Sequence, residues 1–463
     1  MPAETTQVLA EFAAALTYDK IPERVRDYCK DVLLDTLACA VAGHQGDETH
    51  QLAALSAGLA QSNESTVIGG DRLSLAGATM LNGYLITAVT MCDAHRPTLT
   101  HITPEVVPPA LAIAERDGLS GRDLLVAIVA GSEVTTRVGI GIDYPAFRAR
   151  GWHGPGVFGP FGAAAAVGRL RRFDAETMAR AFGLAGSQAA GTFAAWGTPT
   201  VKFHQCRGAL SGLMAALLAE QKFVATREFL TARDGGLYNS YSNGGRAEAA
   251  TADLGRRWEL EQIALRLWPS ASSIQGMMTA LFDIIEKHAI DPAQVKTLRI
   301  ALSEPVFKLH GIFAQYKAKF EALLSAHYVA AAILHDRAMT LAQFEPARYD
   351  DPKLRRFAER VEVRADPALS GVQAIVEIET VAGKTLSSRC DHPRGSPENP
   401  LSRAQIESKF RTYARGRLSD GQVEDVIAAV VRLEELSSVR TLMDALRETP
   451  RRERAPIAAV ARG

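Results

Sequence analysis

Residues 151–170 read Gly-Trp-His-Gly-Pro-Gly-Val-Phe-Gly-Pro-Phe-Gly-Ala-Ala-Ala-Ala-Val-Gly-Arg-Leu, a glycine-rich loop that enters an alanine-rich helix. Side chains this small leave little bulk between neighbours, so the helices that carry them must pack closely. A similar small-residue helix is expected over 73–89, and helices are expected over 5–16, 22–43, 121–141, 174–195 and 208–222. In 22–43, Val25, Cys29, Val32, Leu33, Leu37 and Val41 recur at helical spacing, with Pro22 at the start and Gly43 at the end. The first 260 residues therefore predict an all-helical domain.

The composition shifts near Trp268-Pro269. After a helix over 274–289, residues 295–303, 360–364 and 372–381 alternate with period two, and Ala382-Gly383 turns the chain into a hairpin partner at 384–389. Helix returns at 320–335 and again over 402–463. The fold class is mostly α: a large helical domain from 1–265 and 400–463, plus a smaller α+β domain over 266–399 with an antiparallel sheet.

Lys plus Arg number 52 and so do Asp plus Glu, a balance that argues against broad affinity for nucleic acid or an anionic membrane. The five cysteines are widely spaced with no Cys-x-x-Cys, so neither a disulfide framework nor a zinc knuckle is expected. We expect no signal peptide, and no apolar run reaches the ~20 residues of a membrane-spanning helix. The reading is a reduced, soluble, cytoplasmic protein.

Chemistry concentrates in loops. Asp93, His95, Arg96, Thr98, Thr100 and His101 crowd into one polar stretch, and Pro104, Pro108 and Pro109 lead from it into a helix expected at 110–117. His153 sits among glycines, and His204 follows Lys202 shortly before a helix expected near Gly208. Each histidine alone reads equally as a cap or an exposed side chain. As a set they recur at helix entrances, where amides bind carboxylates and imidazoles can exchange protons near neutral pH. Lys202 and Arg96 are either carboxylate-binding cations or solvated charges. Gly154-x-Gly156-x-x-Gly159 has the spacing of a dinucleotide loop but no strand before it, and His95-x5-His101 lacks the company of other metal ligands. No cofactor and no metal are expected.

Several stretches resemble the MmgE/PrpD family, which includes 2-methylcitrate dehydratase, cis-aconitate decarboxylase and iminodisuccinate epimerase. They are Leu34-Asp-Thr-Leu-Ala-Cys-Ala-Val-Ala-Gly43, Leu99-Thr-His-Ile-Thr-Pro-Glu-Val-Val-Pro-Pro-Ala110, Leu119-Ser-Gly-Arg-Asp-Leu-Leu125, Gly151-Trp-His153 and Ser211-Gly-Leu-Met-Ala-Ala-Leu-Leu-Ala219. Asn399-Pro-Leu-Ser and Lys409-Phe also fit, so the resemblance spans essentially the whole chain. It implies a helical domain built from both chain ends, an α+β lid, an active site between them and a homodimer. It also implies cofactor-free chemistry beside a carboxylate of a small di- or tricarboxylic acid.

Position by position, His101 matches the histidine of the family's Thr-His-Pro-Ser step, His153 that of Gly-Phe/Trp-His, and His204 that of Lys-x-Leu-His. Asp93 matches one acid of its Asp-Phe-Asp-Asp-Thr run, where Thr90, Cys92 and Ala94 depart from the expected Asp, Asp and Thr. Val201 stands at the family's lysine, with Lys202 one residue late, an offset that would reverse a side chain in an extended segment. Gln275 stands where a histidine is expected. With the resemblance, His153 and His101 are expected as acid and base, with Asp93 orienting an imidazole and His204, Lys202 and Gln275 binding the substrate; His95 and Arg96, read from the polar loop itself, join the expected substrate-binding set. The leading expectation is a lyase of the 2-methylcitrate dehydratase kind. The alternatives are an epimerase or decarboxylase of the iminodisuccinate or cis-aconitate type, or a carboxylate-binding homologue with altered catalysis.

Overall fold

Glycine decides how closely the central helices approach. The computed structural model of the chain describes residues 4–312 and 314–448. In it the glycine-rich segment is itself helical, Gly154–Leu170, rather than a loop before a helix, and His153 holds the N-cap position. A Cβ on Gly162 would lie 1.8 Å from Thr135 Oγ1, and one on Gly156 would lie 2.2 Å from the Ala190 carbonyl oxygen. Only glycine permits these contacts, which seat the helix against Gly121–Gly141 and against the segment at Ala190; Gly212 does the same for helix Thr200–Glu220, where a Cβ would lie 2.5 Å from the Pro160 carbonyl oxygen.

Two other helices start earlier than expected. Helix Thr103–Asp117 absorbs Pro104 in its first turn and Pro108 and Pro109 inside. Proline at 108 cannot donate to the Pro104 carbonyl, and helix Leu75–Ala88 comes close to that oxygen at Gly83, where a Cβ would lie 2.8 Å from it. Helix Thr200–Glu220 likewise begins before Gly208, placing Lys202 and His204 on the helix and not in a loop. There a one-residue offset turns a side chain by roughly 100° instead of reversing it. The expected helix 174–195 is shorter, Ala175–Gly186, followed by a single 3-10 turn at Phe193–Ala195.

Helix Gly121–Gly141 corrects a second expectation, because by length and composition it could cross a membrane. Its most apolar window is 94% buried inside the protein, and Arg137 pairs with Glu133 at 3.0 Å within the interior. It is a core helix. The first domain is also not wholly helical: Ser65–Thr66 pairs with Arg72–Leu73, and Ala94–His95 pairs with Ile263–Ala264. The second ladder ties the polar loop to the end of the domain.

The sheet of the second domain has the order Glu362–Ala365, Val295–Leu302, Ala374–Thr380, Thr385–Cys390. Its last three strands are antiparallel as expected, and Gly383 takes φ +79° in the hairpin turn. The edge strand Glu362–Ala365 runs parallel to Val295–Leu302, so the sheet is mixed. The helical crossover between those two strands is long enough to return the chain in the same direction.

Among the described residues two large apolar cores form, beside a small cluster of Met80, Tyr84, Ala88 and Cys206. One gathers residues from Leu9 to Leu265 and again from Leu401 to Leu446, with Leu341; the other runs from Trp268 to Cys390. The returning helix Arg403–Ala414 is fastened by Lys409, whose ammonium lies 2.5 Å from Asp35 Oδ1 and 2.7 Å from the Arg266 carbonyl. Helices Asp420–Val431 and Arg440–Ala445 follow, and 449–463 of the expected helix lie outside the described residues.

Candidate active site

A cavity of about 200 Å³ opens between the two cores. The first domain lines it with the loop Ala94–His101, His153, Phe193, Trp196 and Lys202, and the second with Ser272, Ser273, Phe320, Leu324 and Val372. Three histidines (His95, His101, His153) and three cationic side chains (Arg96, Lys202, Arg266) reach its wall. No Asp or Glu does so among the described residues. A lining whose charged groups are all cationic favours an anion.

His101 is held by the backbone. Its Nδ1 lies 2.5 Å from the Asp93 carbonyl oxygen, so Nδ1–H donates and Nε2 is left for a ligand. The Asp93 carboxylate does something other than the imidazole-orienting role expected of it. It accepts from the Ile102 amide at 2.9 Å, the Thr103 amide at 3.1 Å and the Thr103 hydroxyl at 2.6 Å, capping the start of helix Thr103–Asp117. Asp93 thus orients His101 through its carbonyl while its side chain fixes the helix behind it.

Cys92 adds a feature that the sequence alone did not reveal. Its Sγ lies 3.8 Å from His101 Nδ1 and 3.2 Å from Arg266 Nη2. Burial opposes charge on both Cys92 and His101, but the pair favours each other's charged form. The thiol is drawn down by His101 and Arg266, and the imidazole is drawn up by Cys92. Arg266 is itself fixed, donating also to the carbonyls of Cys92 and Ser270.

His153 reaches the cavity at the N-terminus of its helix, and its amide donates to the Gly191 carbonyl at 3.0 Å. Its Nδ1 faces Nδ1 of His204 at 3.0 Å. His204 does not line the cavity; it stands behind His153, on the helix Thr200–Glu220. Burial, and then the neighbouring His204, push His153 down to about 3, and burial lowers His204 as well. Both are neutral at pH 7.

The other expected ligand groups divide. Lys202 borders the cavity, but its ammonium donates to the Ala88 carbonyl at 2.6 Å and sits 3.8 Å from Glu48; burial lowers it. Arg96 also borders the cavity, and its Nε is buried without a partner. His95 has both nitrogens engaged, Nδ1 with Thr98 Oγ1 at 2.7 Å and Nε2 with Glu259 at 3.2 Å, so it braces the loop and has no nitrogen free for substrate or metal. Gln275 lies outside the lining, donating to the Trp268 carbonyl at 3.2 Å. Among the described residues no three His, Cys, Asp or Glu side chains converge as a metal site. The aromatic wall of Phe193, Trp196 and Phe320 carried no motif that would have marked it in the sequence.

The chain is mostly helical, with a cationic, imidazole-bearing cleft between two cores. The chain belongs to the MmgE/PrpD family: residues 7–250 match the MmgE/PrpD N-terminal domain and 268–435 the C-terminal domain. It is 28% identical to the cis-aconitate decarboxylase-like protein oryM of Aspergillus oryzae, over 95% of this chain and 96% of that protein. It is 25% identical to the cis-aconitate decarboxylase of Aspergillus terreus over 95% of both chains. To that of Homo sapiens it is 27% identical, over 96% of this chain and 94% of the other.

Proposed function

We propose that this chain is a lyase using acid–base chemistry beside a carboxylate of a small polycarboxylic acid, with decarboxylation as its reaction. The observation that carries the reading is the cavity wall, with its histidines and cations and, among the described residues, no carboxylate. Dehydration was the first expectation from the family resemblance; the names of the relatives move decarboxylation ahead of it. Both reactions pass through excess negative charge next to a carboxylate, which a cationic wall stabilises.

In this reading a substrate carboxylate rests against Arg96. The bond to the departing carboxylate breaks, carbon dioxide leaves, and the electron pair spreads into the adjacent conjugated carboxylate. His101, whose imidazolium form Cys92 favours, delivers its Nε2 proton to carbon and is reprotonated from solvent. Neutral His153 contacts the reacting end through Nε2. The reading includes a cytoplasmic homodimer that needs no cofactor; the free state of all five cysteines supports a reducing compartment.

Proton NMR in deuterium oxide with cis-aconitate and a panel of related tri- and dicarboxylic acids tests this. The expected result is loss of a carboxylate with deuterium at the newly protonated carbon. If no acid in the panel loses carbon dioxide, loses water or exchanges a proton, the chain is not a lyase of these acids.

A further inference from the structure

A second cleft, of about 660 Å³, shares a wall with the first cavity and is lined by Pro97, Gly139, Asp143, Asn243, Arg246 and Arg257. The turn Arg96–Thr98 separates the two: Arg96 borders the first cavity and Pro97 the second. The turn is tightly packed. A Cβ on Gly139 would lie 2.9 Å from Thr98 Cγ2, and Thr98 Oγ1 meets His95 Nδ1 at 2.7 Å. A shift on one side of such a turn is felt on the other. Charge joins the clefts as well. The buried carboxylate of Glu259 pairs through Oε1 with Arg257 Nε at 2.8 Å, and through Oε2 with His95 Nε2 at 3.2 Å. Arg257 lines the second cleft and His95 the first.

Among the described residues, the charged groups of the second cleft are two guanidiniums and one carboxylate. Arg246 is exposed, and its guanidinium makes no hydrogen bond or ion pair among the described residues. Arg257 meets Glu259 through Nε alone, which leaves its two terminal nitrogens to donate. The carboxylate, Asp143, is partly committed, accepting from the Ala146 amide at 3.4 Å at the start of helix Tyr144–Ala149. Asn243 accepts from Arg150 Nη2 through Oδ1 at 3.0 Å, so its amide nitrogen is left as a donor. Two forked cations and an amide donor around open space match the several oxygens of one small oxyanion.

We propose that this cleft is a regulatory site for a small oxyanion, a phosphate or a dicarboxylate, gripped by Arg246 and Arg257 and coupled to the first cavity through Glu259 and the turn Arg96–Thr98. The sign follows from charge. The bound anion adds negative charge beside the shared turn. It also draws Arg257 from Glu259, whose carboxylate is then less compensated next to His95. Both effects disfavour a second anion in the first cavity, so effector and substrate weaken each other's binding. The kinetic readout rests on the lyase reading; the site itself does not.

Calorimetric titration with inorganic phosphate and, separately, with succinate reads the site, and the tighter probe tells which oxyanion it takes. The expected result is saturable binding that Arg246→Gln weakens by about tenfold or more, the loss of a charge-assisted hydrogen bond. The thermal midpoint of the variant should match that of the parent. In turnover of cis-aconitate the same probe should raise KM to a plateau with kcat unchanged, and Arg246→Gln should keep the basal rate and lose the effect. A KM that climbs without limit, or equally in the variant, puts the anion in the first cavity and overturns the inference. Binding of neither probe, or equal binding by parent and variant, also overturns it. Binding that the variant loses, with no effect on KM, overturns the coupling. If no acid turns over, the lyase reading fails and calorimetry decides the site by itself: weaker binding in Arg246→Gln supports it, and unchanged binding overturns it.

Discussion

His153 and His204 face one another Nδ1 to Nδ1 at 3.0 Å, so in the neutral pair one ring donates and the other accepts. When His204 donates, His153 carries its own proton on Nε2, toward the cavity; when His153 donates, that Nε2 is bare. His204 therefore selects whether His153 offers a proton or accepts one, without touching the substrate.

His153→Ala should abolish turnover while the thermal midpoint stays close to that of the parent, because the amide bond to Gly191 survives the change. His204→Ala should lower kcat by roughly tenfold to a hundredfold with KM little changed, the loss typical of a partner that orients a reacting group. It should also raise the pKa of His153, which His204 helps depress, so an acid limb should move to higher pH. His204→Asn, which restores a donor, should recover part of kcat. A uniform loss with an unchanged pH profile would reduce His204 to a packing residue.

Cys92→Ser should move the alkaline limb of kcat/KM to lower pH. His101 is raised against the opposing effect of burial because Cys92 favours its imidazolium, so activity that needs the proton is lost as pH rises through that raised pKa. A serine hydroxyl cannot become an anion there, and the loss sets in earlier. An unshifted limb would remove Cys92 from the proton chemistry.

Stability should fall as pH drops below about 6.5. His153 and His310 are buried and pushed down, mainly by burial, to about 3 and about 4, whereas in the unfolded chain they protonate near 6.5. Between those values the unfolded state binds more protons, and each group removes about 1.4 kcal/mol per pH unit. His310 links Ser273 Oγ at 2.6 Å to the Leu324 carbonyl at 2.9 Å, bonds that a glutamine can imitate. His310→Gln should flatten the pH dependence of the thermal midpoint between 6.5 and 4.

Lys409→Met should destabilise the chain by about 3–5 kcal/mol, measured by chemical unfolding, because it strands the Asp35 carboxylate in the core. It should also loosen Arg266, whose carbonyl Lys409 holds, and so reduce activity at temperatures where the fold survives. The double replacement with Asp35→Leu should recover most of the stability, since no buried charge is then left unpaired.

The sequence by itself determined the helical class, the returning C-terminal helices, the hairpin at Gly383, the family and the prominence of His101 and His153. These follow from periodicity, turn chemistry and motif, which are local properties. Helix starts were less legible, because prolines and glycines that usually break helices are tolerated where a neighbour packs against the freed backbone, as Gly83 does near Pro104. The tertiary structure alone decided the division of labour among the site residues. Asp93 caps a helix, His95 turns inward to Glu259, His204 stands behind His153, and Cys92 meets His101 and Arg266. Asp93 and Cys92 meet Thr103 and His101 across one loop, while His95–Glu259, His153–His204 and Cys92–Arg266 join distant segments at about 3 Å, in an interior where a buried polar atom must find a partner; one-dimensional spacing carries no record of those distances.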